Sequence, residues 1–197
     1  MYSSMPQQIF GFHGCDREIG MRLINGDTQL FPSNNSYDWL GHGIYFWEQS
    51  YARAMDWAIE CSKNPKMTKG KITTPFVVGA IIDLGRCLNL TDQNYFELLS
   101  ETYKVLKESH DRAGLMLPKN IGNSKKLDCA VINSAIQNSS TEKISFDTVR
   151  GAFIEGKSIY PGSTLCKQTH IQVCVRNPNC IKGYFNPLKE DKKYRLP

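Results

Sequence analysis

The chain of 197 residues has no hydrophobic run long enough to cross a bilayer. Its most apolar stretch, residues 76–82, falls far short of the ~20 residues that a spanning helix needs. The opening MYSSMPQQIF has neither the basic n-region nor the apolar h-region of a secretory signal. No C-x-x-C pair occurs among the 7 cysteines, Cys15, Cys61, Cys87, Cys129, Cys166, Cys174 and Cys180. Their odd number and scatter argue against a zinc site and against a disulfide framework. Free thiols in a reducing compartment follow, and with them an expected cytoplasmic location and no membrane partner. There is no P-loop, no Rossmann glycine pattern and no Ser-His-Asp order, nor any repeat or low-complexity tract. What remains is an ordinary globular composition, 41% hydrophobic and 22% charged, sized for a single domain spanning residues 1–197. The net charge of +5 suits a polyanion such as nucleic acid or a nucleotide's phosphates, and suits a merely solvated surface equally.

Periodicity predicts an α+β fold, with helices packed on an antiparallel or mixed sheet. Strands are expected at residues 9–13, at 76–84 as a buried central strand, at 149–154, at 169–175 and at 181–185. Asp16 is placed to cap a helix carrying Ile19 and Leu23 that Gly26 stops. Ser50 is placed to cap a second, with Tyr51, Ala54, Met55, Ala58 and Ile59 at helical spacing and Pro65 beyond its end. Asp92 opens a third. Residues 127–136 read equally as strand or helix, and residues 118–126 as a long exposed loop.

Two segments carry chemistry. In Gly11-Phe12-His13-Gly14-Cys15, an imidazole stands beside a bare backbone at the end of a strand, where both can approach one ligand. In Gly41-His42-Gly43-Ile44-Tyr45-Phe46-Trp47, two glycines precede a short aromatic strand, which reads either as a turn before core aromatics or as a stacking platform for a flat ring.

The two segments in this order, His-Gly on a first strand and then G-x-G-I-Y-F before a helix, resemble the His-Tyr class of ADP-ribosyltransferases. The diphtheria toxin and poly(ADP-ribose) polymerase groups belong to that class, and the small bacterial toxin and phage-defence members are the most similar. The resemblance covers the N-terminal third and, more loosely, the last strands. It implies a split mixed or antiparallel sheet, NAD⁺ as co-substrate and no metal. It implies further that His13 binds the adenosine ribose, that the Gly14 backbone binds the nicotinamide amide, and that Tyr45 stacks on the nicotinamide ring. Gly43 and Phe46 fall within the same motif, and Arg53, on the following helix, is a candidate for a phosphate contact or for a surface ion pair.

The family's third position is a Glu that stabilises the cationic sugar as nicotinamide leaves, and here the late strand THIQVCV places Gln172 there instead. Three readings stay open: a His-Tyr-Gln variant, a carboxylate supplied from outside the strand by Glu155, or NAD⁺ binding without transfer. His170 stands two positions before Gln172, where arginine-modifying members carry an acidic or amide residue. With the basic charge, that points to an RNA or DNA acceptor ahead of a protein one. The alternatives are a non-catalytic module that binds NAD⁺, ADP-ribose or nucleic acid, and an NAD⁺ glycohydrolase.

Overall fold

The computed structural model describes residues 8–68, 70–141, 145–189 and 191–194. Most of the opening segment on which the leader reading rests, residues 1–7, lies outside them. The fold is α+β. A sheet of seven strands runs in the order β4-β7-β8-β2-β1-β3-β9, antiparallel throughout except for the parallel pair β4–β7. Its strands are β1 (Gln8–Asp16), β2 (Ile44–Glu48), β3 (Pro75–Asp83), β4 (Cys87–Asn89), β7 (Thr148–Phe153), β8 (His170–Val175) and β9 (Ile181–Phe185). A two-residue hairpin, β5 (Asn120–Ile121) with β6 (Ser124–Lys125), occupies the expected loop.

Among the described residues four α-helices accompany the sheet. In α1 (Arg17–Asn25) the Asp16 carboxylate accepts from Glu18 N, and Gly26 closes the helix at φ 80°. The same carboxylate accepts from Thr73 N, Thr73 Oγ1 and Thr74 N, pinning the loop before β3 to the end of β1. The second helix, α2 (Tyr51–Lys63), starts where expected, but the Ser50 hydroxyl makes no capping bond. Asp92 caps a short 3₁₀ turn, and α3 (Phe96–Ala113) follows it. The ambiguous residues 127–136 lie in α4 (Lys126–Thr141).

Alternation sorts the strand residues by face. Ile44, Phe46, Ala80, Ile82, Val173 and Val175 form one core. On the other face Trp47 and Val77 pack under Ala54 of α2, while Val149 and Cys174 pack under Ile132 and Ile136 of α4. The strip of sheet between α2 and α4 carries His170 and Gln172 of β8.

Candidate functional site

The sheet forks at its centre. β1 and β2 pair only at Gly11↔Glu48 and Phe12↔Trp47. Beyond that point β1 follows β3 as far as Asp16↔Pro75, while β2 follows β8 back to Ile44↔Val175. A strand is held by its neighbours, so each half of the fork is fixed by a different partner and the edges that face each other part. His13 sits at the fork. It is therefore within a nine-residue strand and not at a strand end, as the sequence had suggested, because pairing with β3 carries β1 on to Asp16.

The His13 ring bridges the parting strands. Its Nδ1 lies 2.8 Å from the Tyr45 carbonyl oxygen. A carbonyl only accepts, so Nδ1 carries the proton and Nε2 is left bare as an acceptor. Burial lowers the His13 pKa below the ordinary 6.5, against the opposing pull of that carbonyl, and keeps the ring neutral at pH 7.

Tyr45 is fixed at both ends. Its hydroxyl donates to the Gly41 carbonyl at 2.7 Å and accepts from Leu40 N at 3.0 Å. Burial pushes its ionisation far above the usual range, so it is a neutral ring wall and not an acid or base. Gly41 turns the loop at φ 78°, a left-handed conformation that brings this carbonyl onto the hydroxyl. A Cβ on Gly43 would stand 2.5 Å from Cys174 Sγ, so the glycine permits the loop's close approach to β8.

His13, Gly43, Tyr45, Arg53, Glu155 and Gln172 line one cavity of about 650 Å³, a size typical of small-molecule and cofactor sites. Of the residues expected at the site, two are not part of its wall. Phe46 is fully buried in the opposite core, because a strand turns successive side chains to opposite faces and Tyr45 and Trp47 take the cavity side. Gly14 faces α2: a Cβ there would lie 2.4 Å from the Ala54 carbonyl oxygen, so its lack of a side chain serves helix packing.

Arg53 is neither a surface residue nor free. Its Nη2 donates to Glu155 Oε2 at 2.9 Å, with the two side chains 10% and 22% exposed, and its guanidinium lies 5.9 Å from the Trp47 ring. The other Glu155 oxygen accepts from Asn123 Nδ2 of the β5–β6 turn at 3.4 Å. Gln172 is oriented by Trp39, whose indole N–H donates to Gln172 Oε1 at 2.6 Å. An indole nitrogen cannot accept, so the amide cannot be reversed; its oxygen is engaged and its NH₂ group remains as a pair of donors.

The wall extends beyond the expected residues, and Trp47, Trp57, Phe153 and Asn123 are among its further members. Trp47 shares the face of Tyr45 by simple alternation, and Trp57 sits one helical turn from Arg53, so both were within reach of a periodicity argument. Phe153 and Asn123 arrive from β7 and the hairpin, and no local pattern marks them. His42 and Arg176 line a separate hollow behind the loop. Among the described residues no group of three or more His, Cys, Asp or Glu is placed to hold a metal ion, and no helix is long and apolar enough to cross a membrane.

The neutral state of the His13 and His170 imidazoles has a consequence for stability. His13 and His170 both have lowered folded pKa values, so below about pH 6.5 the unfolded chain binds protons that the folded one does not. Their contribution is complete above the unfolded value and is lost as pH falls from there toward the folded values. Thermal melting is expected at a lower temperature near pH 5 than near pH 7.5. Equal melting at the two pH values would show that these rings do not resist protonation.

The described arrangement defines an α+β protein with a forked mixed sheet and one large polar-aromatic cavity at the fork. It is 28% identical to an uncharacterized protein of Methanocaldococcus jannaschii, over 87% of this chain and 83% of that one. No family model and no solved structure matches the chain.

Proposed function

We propose that the cavity binds NAD⁺ and that the protein transfers its ADP-ribose to a macromolecular acceptor, nucleic acid ahead of protein, releasing nicotinamide. The observation that carries this reading is the meeting of His13, Tyr45, Glu155 and Gln172 around one fork, from four separate parts of the chain. A bare imidazole Nε2 suits a ribose hydroxyl, which donates to it. A tethered neutral phenol ring suits a flat nicotinamide.

In this reading Glu155 supplies the charge. Breaking the bond between C1″ of the ribose and the nicotinamide nitrogen builds positive charge on the sugar. The Gln172 oxygen is held by Trp39, so the positive end of the amide dipole is what remains for a ligand, and that end opposes a developing cation. Gln172 then binds a sugar oxygen, while the Glu155 carboxylate, steadied by Arg53, stabilises the cation. The same locked amide favours a second reading, a binding module that holds NAD⁺ without breaking it.

One experiment separates these outcomes. The protein is incubated with NAD⁺ labelled in its adenylate half and with RNA, DNA and protein fractions, and free nicotinamide is followed alongside. Label in a nucleic-acid fraction is expected, with acceptor affinity that falls as salt rises. NAD⁺ bound without nicotinamide release would establish the binding module, and release without labelled acceptor a glycohydrolase. No NAD⁺ binding would end both.

A further inference from the structure

Four buried side-chain nitrogens among the described residues have no hydrogen-bond partner: Trp47 Nε1, Arg53 Nε, Arg53 Nη1 and His170 Nε2. All belong to residues that line the fork cavity. Leaving a buried polar atom unpaired costs free energy, and folded proteins keep few of them. Their confinement to one cavity wall marks a place where something other than the protein completes the bonding.

The four atoms ask for a particular partner. The Trp47 and Arg53 nitrogens are donors only. His170 Nδ1 lies 2.6 Å from the Gln168 carbonyl oxygen and so carries the ring proton, which leaves Nε2 a bare acceptor. A group that satisfies the set must accept from N–H donors and also donate once. A hydroxyl does both, donating its proton to His170 Nε2 and accepting from up to two of the three donor nitrogens. A phosphate oxygen has no proton for His170, and a guanidinium has no lone pair for Trp47 or Arg53. The Trp47 and His170 rings lie 6.3 Å apart between centroids, and the Arg53 guanidinium carbon lies 5.9 Å from the Trp47 ring. The Arg53 guanidinium and the His170 ring therefore both neighbour the Trp47 ring, which gathers the four atoms' side chains at one corner of the cavity.

We propose that this corner of the cavity holds the acceptor's nucleophilic hydroxyl, and that His170 is the base that takes its proton. The inference rests on the ADP-ribosyl transfer reading above and adds that the acceptor attacks through oxygen. The C1″–N bond to nicotinamide breaks and its electron pair returns to the ring nitrogen, which loses its positive charge. The hydroxyl oxygen forms the new bond to C1″, and its proton passes to His170 Nε2. The resulting imidazolium returns the proton to solvent.

The surroundings suit a base. The charged groups that face His170 are Arg53 from α2 and Glu155 from the segment after β7, while the Trp47 and Phe153 rings pack beside it. Burial, joined by the Arg53 charge, outweighs the Gln168 carbonyl and Glu155 and holds His170 below its ordinary 6.5. The ring is therefore neutral at pH 7, as a base must be.

The test is nicotinamide release from NAD⁺, first with water as the only hydroxyl and then with methanol added, each followed against pH. His170→Asn keeps an N–H for the Gln168 carbonyl and removes Nε2. It is expected to slow release by about 10²–10⁴-fold with NAD⁺ affinity unchanged. In His170→Ala, added imidazole is expected to restore part of the rate. The rate of the unmutated protein is expected to fall below pH 6.5, and His170→Asn to lose that limb. Methyl ADP-ribose formed beside ADP-ribose identifies an alcohol-accepting site, and ADP-ribose alone one that takes water. A rate for the unmutated protein that shows no acid limb at any pH at which it stays folded overturns the proposal without any variant. So does a loss in His170→Asn that imidazole cannot restore in His170→Ala and that tracks a lower melting temperature, since the polar corner is then structural. If the unmutated protein binds no NAD⁺ or releases no nicotinamide, the transfer reading itself fails, and this inference with it.

Discussion

Glu155→Gln is expected to slow nicotinamide release by about 10²–10³-fold, the usual cost of losing one preorganised stabilising group, while NAD⁺ affinity changes little. The substitution isolates charge from position. The Glu155 oxygen that accepts from Arg53 at 2.9 Å has a counterpart in the Gln oxygen, so the side chain keeps that anchor, loses its negative charge and gives up only the longer 3.4 Å bond from Asn123. A cation forming on the sugar then meets a dipole in place of a full charge. Gln172 should behave differently. Gln172→Glu retains an oxygen for the Trp39 N–H and adds a carboxylate at the cavity wall, so it is expected to be tolerated. Gln172→Ala strands that N–H and removes a sugar contact, so it should weaken NAD⁺ binding as well as rate. Measuring nicotinamide release and NAD⁺ affinity for all three variants separates the roles. Full activity in both Glu155→Gln and Gln172→Ala would remove both residues from the mechanism.

Arg150→Met is expected to cost about 3–5 kcal/mol of folding stability, the range for breaking a buried ion pair from one side. Arg150 on β7 grips Glu48 on β2 across β8, with Nε to Oε2 at 2.6 Å and Nη2 to Oε1 at 2.8 Å. The two side chains are only 9% and 11% exposed. Removing the guanidinium leaves a carboxylate in the interior with no counter-charge. The pair also matters to the site, because Glu48 is the residue opposite Gly11 in the last rungs before the fork opens. Loss of the clamp should therefore loosen the hinge from which the His13 and Tyr45 arms diverge. Denaturant melting of Arg150→Met, and of Arg150→Met combined with Glu48→Gln, checks the mechanism: the second change should recover part of the loss. A cost below about 1 kcal/mol for the single variant would mean that water replaces the partner.

Much of the framework was legible because its causes are local. Asp16 and Gly26 bound α1 because a cap needs only its own turn, and the alternation in residues 169–175 marked a strand, although β8 is covered on both faces at Val173, Cys174 and Val175 and not half-buried. The pairing of His13 with Tyr45 rested on two short motifs whose order along the chain is visible without a structure. The reading of residues 127–136 stayed undecided because a short apolar run fits either period; contact with α3 and the β7–β8 sheet face settles it as helix. Phe46 belongs to the same aromatic motif, but alternation from Tyr45 turns it into the opposite core.

What only tertiary structure decided is where distant parts meet. No local rule says that β1 and β2 pair for two rungs and then part, because that depends on which neighbour holds each strand. Arg53 and Glu155 are 102 residues apart and meet only because α2 and the segment after β7 flank the same strip of sheet. Trp39 and Gln172 are 133 apart, and their hydrogen bond determines which end of an amide a ligand encounters. The sequence alone established the residue types present and their local geometry. The charge and hydrogen-bonding state of each site group came from partners far along the chain, because burial and pairing are properties of the packed molecule.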